Sequence, residues 1–148
     1  MASSSNSLGN TISQLEKILK DGLSTLAPTG QQQIASSQVS WYGAPFSTPT
    51  NKPWLRTSSV AVGPIQQSTS DCYTLEQAFF IVDVFYPANQ GYKFALEIAN
   101  NVKLLYRNDL SLNLHIESVT VQPNNTSLPQ WFSAQVTVTY NFDTHIED

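Results

Sequence analysis

His115 and Glu117 stand two residues apart, a spacing that puts both side chains on one face of a strand and offers an imidazole base with a carboxylate to orient it. A plain surface pair fits the same spacing and needs nothing else around it. The other histidine, His145, sits in an acidic tail with Asp143, Glu147 and Asp148, and neither histidine has a second ligand at metal-binding spacing. Cys72 follows Asp71, with Glu76 close behind and no cation near it in sequence to lower a thiol pKa. The acids read as solvated groups, and no GxGxxG, Walker A or GxSxG pattern occurs. The expectation is a protein that is not an enzyme and uses no cofactor or metal.

Binding chemistry concentrates instead in Trp41 to Arg56, WYGAPFSTPTNKPWLR. Pro45, Pro49 and Pro53 lack a backbone donor and push Ala44, Thr48 and Lys52 towards extended backbone, so neither a helix nor a central strand fits. The expected conformation is an extended arm between two strands, with Trp41, Phe46 and Trp54 as large apolar anchors. Such an arm either closes one end of the chain's own core or reaches a partner, and the residues leave both open. Trp54 and Arg56 make a close aromatic–basic pair. A platform for single-stranded nucleic acid needs a run of cations beside its rings.

Charge points the same way. Seven Lys and Arg are scattered along the chain and the net charge is −4, so clustered phosphate contacts are not expected and a passing DNA would be weakly repelled. Charged residues make up 12%, about half the usual share, and 18 Ser, 13 Thr, 11 Asn and 12 Gln stand in their place. A charge-poor surface favours an assembled protein, because interface cores are depleted in charge. Hydrophobic content of 41% is enough for a packed core. Cys72 is alone, so no intrachain disulfide forms, which suits a reducing compartment. The start, MASSSNSLGN, has neither a basic nor an apolar signal region, and the longest apolar run, Ala78 to Val82, is too short to span a bilayer. A soluble protein made in a cytoplasm, with no membrane partner, is the expectation.

The positioning elements follow from periodicity. Residues 1–7 are Ser/Asn-rich and expected to be disordered, and residues 8–148 form one domain. Leu8, Ile12, Leu15, Leu19, Leu23 and Leu26, widened by Ile18, make an amphipathic helix with Thr11 and Gln14 at capping-box spacing, stopped before Pro28. Pro28 to Ser37 reads as a linker. Short strand signals cover Gln38 to Tyr42 and Trp54 to Val62, the latter ended by Gly63-Pro64, and Ile65 to Ser70 reads as a polar hairpin loop. Leu75 to Tyr86 has two apolar faces: Ala78, Phe80, Val82 and Val84 on one, Leu75, Phe79, Ile81 and Phe85 on the other. A strand of that kind needs cover on both sides, from helices or from a neighbouring subunit. Asp83 interrupts the second face and wants a donor.

A second helix is expected from about Gln90 to Arg107, on Ala95, Ile98, Val102 and Leu105, with Asn89 as N-cap. In Leu112 to Val121 the apolar parity switches between Ile116 and Val119, which predicts a bulge. Trp131 to Phe142 alternates cleanly, spans about 40 Å at about 3.3 Å per residue, and is expected to overhang its partners. The order helix, strand, strand, strand, helix, strand, strand predicts an α+β fold: a mostly antiparallel sheet of four to five strands with two helices on one face, the Leu75 strand, helix and Leu112 strand forming a crossover.

Two segments together resemble a known family. WYGAPFSTPTNKPWLR is similar to the aromatic, P-F-x-x-P, P-aromatic-L-R signature of the tail terminator (tail completion) proteins of long-tailed bacteriophages. FIVDVFYPANQGYKFALEIANNVKLLY resembles their V-D-V strand, P-x-x-x-G turn and Ala/Ile-rich helix, matched here by Val82, Asp83, Val84, Pro87, Gly91, Ala95, Ile98, Ala99 and Val102. The likeness covers about residues 38–142. It departs in the long Ser/Gln-rich lead-in to Gln38 and in Trp54, where the family often has a smaller aromatic.

The resemblance implies a subunit of a homohexameric ring on the head-proximal end of the virion tail, assembled in the host cytoplasm. Its implied partners are copies of itself, the tail tube protein and the head–tail connector protein, with DNA passing through the lumen without specific binding. Trp41, Phe46, Trp54 and Arg56 are the candidate subunit interface, with Arg56 pairing either Asp83 or a neighbour's carboxylate. Gln66, Gln67, Ser68 and Thr69 are the candidate tube-facing loop. The alternatives are a head–tail connector ring protein, separated by which end it binds, and a monomeric domain holding a small ligand or carbohydrate on Trp41 and Trp54, separated by a concentration-independent mass.

Overall fold

Strict alternation from Phe132 to Phe142 builds the strand around which the sheet is assembled. The structure, a computed structural model, describes residues 8–68, 73–90, 92–108, 115–124 and 130–145. Its elements are α1 (Leu8–Asp21), β1 (Val39–Ser40), β2 (Trp54–Ser68), β3 (Tyr73–Pro87), α2 (Lys93–Asn108), β4 (His115–Asn124) and β5 (Trp131–His145). The sheet order is β1-β2-β3-β5-β4, with β1 parallel to β2 and every other pairing antiparallel. The fold is α+β with a mostly antiparallel sheet. β3, α2 and β4 do form a crossover, and β5 is inserted between the two strands it connects.

That insertion corrects the expectation for the last strand. β5 pairs with β3 from Trp131 to His145 and with β4 from Ser133 to Asn141, so it is central and does not overhang β3. From Ser133 to Asn141 its hydrogen-bonding capacity is met from both sides, so no Lys or Pro is needed to blunt it there, while its ends extend past β4. The parity switch in β4 is a register shift between Ile116 and Ser118.

Both helices pack on one face. Ala78, Phe80, Val82 and Val84 of β3 and Ala134, Val136, Val138 and Tyr140 of β5 are fully buried there against Leu15 and Leu19 of α1 and Ala95, Ile98, Ala99 and Val102 of α2. Each fully buried Val, Leu, Ile or Phe among them contributes about 1.5–3 kcal/mol, and each Ala less. Two hydrogen bonds tie the helices in: Thr11 Oγ1 lies 3.1 Å from the Tyr140 hydroxyl, and the Tyr106 hydroxyl donates to the Leu15 carbonyl at 2.6 Å. Gly22 allows the close approach of α1's end to α2, since a Cβ there would sit 2.6 Å from Leu105 Cδ2.

Several local expectations are revised. Thr11 lies inside α1 and donates back to the Leu8 carbonyl, so it is no N-cap. α1 stops at Asp21, and Leu23 to Thr25 continue as a 3-10 turn that still buries Leu23. The linker is not idle: Ile34 inserts into the core. β2 runs through Gly63-Pro64 by means of two register shifts, between Ala61 and Gly63 and between Pro64 and Gln66. Asn89 belongs to a 3-10 turn, Ala88–Gln90, and α2 begins at Lys93. Residues 1–7 lie outside the described residues, as do Asp71, Cys72, Glu147 and Asp148.

Candidate functional site

Because direct cross-strand partners share a face, the register sorts the helix-free side of the sheet into rows. The first runs Trp54, Phe85, Ser133, Asn124; the second runs Arg56, Asp83, Gln135, Gln122. Next come Ser58, Ile81, Thr137, Thr120, and then Val60, Phe79, Thr139, Ser118. The sequence-predicted Trp54, Phe46 and Arg56 meet on the first two rows.

The first row is an aromatic pile. Trp54 stacks on Phe85 with ring centroids 4.1 Å apart, Phe46 stacks on Trp54 at 5.3 Å, and Trp131 meets Trp54 edge-on at 6.0 Å. Trp54 is 6% exposed. Its indole Nε1 and the nearby Ser133 hydroxyl are buried without a hydrogen-bond partner among the described residues.

The second row is a polar ladder. Arg56 donates from Nε (3.2 Å) and Nη2 (2.9 Å) to Asp83 Oδ2, while Gln135 Nε2 donates to Asp83 Oδ1 at 3.2 Å. Gln122 Nε2 reaches Gln135 Oε1 at 3.4 Å. Asp83 is 4% exposed, so its charge is held by these donors, and the Arg56 guanidinium also lies 5.1 Å over the Phe85 ring. Of the two partners expected for Arg56, the one inside the chain is what the structure shows.

The arm is tied down at both ends. Gln38 Nε2 donates to the Pro53 carbonyl at 2.8 Å, and Val39 and Ser40 pair with Leu55 and Arg56. Glu16 Oε2 on α1 accepts from the Tyr42 amide (3.0 Å) and the Thr57 hydroxyl (2.6 Å). The arm is therefore a closed loop laid back on its own subunit, not a free reach, and its turns use positive φ at Gly43 and Asn51. Trp41 stands apart from the stack and packs, partly buried, against the helix-side core. Beside the arm, Thr48, Pro49, Asn51, Pro87, Gln130 and Trp131 border a groove of about 650 Å³ with no charged side chain among its described lining residues.

Gln66, Gln67 and Ser68 are not loop residues: they continue β2 opposite Leu75, Thr74 and Tyr73, and Thr69 lies outside the described residues. They sit roughly 35–40 Å along β2 from the aromatic pile. Of the residues considered for catalysis, Glu117 accepts from Gln77 Nε2 at 2.8 Å and His115 is exposed on β4. Among the described residues no three His, Cys, Asp or Glu side chains group as metal ligands, and no helix is long and apolar enough to cross a membrane.

Sequence reasoning missed Glu16, Phe85, Gln135 and Trp131 as members of the site. Phe85 had a signal, its shared parity with Asp83. Glu16 and Trp131 had none, because each meets the arm or Trp54 only through tertiary folding.

The phage tail terminator protein family matches residues 14–140, and the chain belongs to that family. Membership makes it a structural component of a bacteriophage tail. No curated protein sequence matches the chain. One solved chain shares the fold with a TM-score of 0.61 at 15% identity, over 95% of this chain and 100% of the other.

Proposed function

We propose that the chain closes into a six-membered ring on the head-proximal end of the tail tube, halts addition of tube protein and presents its other surface to the head connector. Family membership over residues 14–140 carries this reading. The geometry supports it in one respect. β3 has two apolar faces, and the helices cover only one of them. Phe79 and Ile81 are half-buried on the other, with Val60 49% exposed beside them, so cover from a neighbouring subunit suits that surface.

The aromatic pile and the polar ladder brace the end of the subunit from which the arm is presented. Trp54 and Arg56 hold Phe46 and the arm in one conformation, which lowers the entropy lost on assembly. The net charge of −4 per copy suits a lumen through which DNA slides without sticking. Polymerising the purified tube protein with and without the chain tests the reading. Tubes that stop growing at one end in its presence support it, and unchanged growth at both ends contradicts it.

A further inference from the structure

β2 and β4 are the outer long strands, and each leaves a backbone edge without a strand partner among the described residues. Among the described residues β1 covers β2 only at Leu55 and Arg56, so no strand pairs that edge from Thr57 onward, and β4 is paired on its β5 side alone. Native edges are normally blunted by charge, proline or bulges. Here two stretches carry none of these. On β2, Thr57 to Ala61 lies between Arg56 and the first register shift; on β4, Ser118 to Gln122 lies between the register shift and Pro123. Both are five residues long, uncharged and supplied with β-branched side chains.

The strand senses decide what fits them. β2 is antiparallel to β3, β3 to β5 and β5 to β4, so β2 and β4 run in opposite directions. A second copy in the same orientation, placed beside the first, brings its β4 antiparallel to β2. We propose that successive copies join by β2–β4′ edge pairing through Thr57–Ala61 and Ser118–Gln122, extending one sheet from subunit to subunit. The inference rests on the self-assembly reading above and specifies its contact.

The joint is heterologous, one β2 edge and one β4 edge per copy, so it repeats around an axis and closes into a ring when the rotation allows. Its uncharged windows avoid like-charge repulsion between copies that each carry −4. Five residues a side fall short of the roughly 20–30 of a standard interface, so the edges set sense and register while adjacent surface adds area. Tyr42, 54% exposed and with its amide 2.9 Å from Thr57 Oγ1, borders the β2 window, and Val62, 49% exposed, extends it.

The test uses Val60→Lys and Thr120→Lys, both at exposed positions on the helix-free face. Each variant alone is expected to lose assembly and show a monomer mass with an unchanged far-UV circular dichroism spectrum. A one-to-one mixture retains one intact β2 edge and one intact β4 edge, so it is expected to give a heterodimer and nothing larger. Ser58→Lys with Gln122→Lys repeats the test should either first variant fail to fold. Wild-type assembly that survives in both variants overturns the edge pairing and leaves the ring reading standing. Dimers of Thr120→Lys alone also overturn it, since they indicate β2–β2 contact. A wild-type chain that stays monomeric overturns both readings.

Discussion

Arg56 and Asp83 are direct cross-strand partners, and their side chains close a 2.9 Å contact in which the carboxylate is 5% exposed and the guanidinium 48%. The pair is unequal. Released from its partner, Arg56 can turn to water, whereas among the described residues Asp83 would keep the Gln135 amide alone.

Arg56→Ala is therefore expected to destabilise the fold by about 2 kcal/mol, because it strands a buried carboxylate. Asp83→Asn, which removes the buried charge and keeps an amide of similar shape, is expected to cost about half as much. Urea unfolding of the two variants checks the ranking. A larger loss for Asp83→Asn contradicts it.

Trp54→Ala empties the centre of the aromatic pile and is expected to cost about 3–5 kcal/mol, a large share of a typical domain's stability. Trp54→Phe keeps the stack on Phe85 and deletes the unpartnered indole N–H, so its cost should stay within about 1–2 kcal/mol. Light scattering adds the assembly readout. If Trp54→Ala and Arg56→Glu both assemble as the wild type does, the bracing role of this end is wrong.

Tyr140 and Tyr86 supply the pH dependence. Burial raises the Tyr140 pKa above 10.0, partly offset by hydrogen bonds with Thr11 and Ser59, and burial raises Tyr86 likewise. The folded state then keeps these protons to higher pH than the unfolded chain, so the stabilisation is present below pH 10 and falls as pH climbs past it. Tyr140→Phe is expected to lose about 1 kcal/mol at neutral pH, with the Thr11 contact, and to show a shallower alkaline decline. Melting temperatures from pH 8 to 12 measure both effects. Parallel curves contradict the assignment.

Gln66 and Gln67 probe the far end of β2. Replacing both with Ala is expected to leave the fold intact, with a stability change of no more than about 0.5 kcal/mol, while tails assembled with the variant lose length control. Tails of normal length reject a tube-facing role for this end.

Much of this architecture was legible in the residues. The apolar pattern of Leu75 to Tyr86 announced a strand, whose Ala78, Phe80, Val82 and Val84 face is the one the helices cover, and the parity slip between Ile116 and Val119 announced the β4 register shift. Asp83 advertised its need for a donor, and Arg56 supplied it. What stayed hidden depends on tertiary placement. Alternation in β5 says nothing about whether both its edges are paired, and Gly63-Pro64, a normal strand stop, is absorbed by two register shifts. Trp131 and Glu16 reach the site from opposite ends of the chain, at distances no local pattern spans.

Electron microscopy of the purified protein over a range of concentrations bears most directly on the central claim that copies lock around an axis. The expected result is closed rings with six-fold symmetry. Particles of monomer size at every concentration, with no affinity for tube ends, would contradict it.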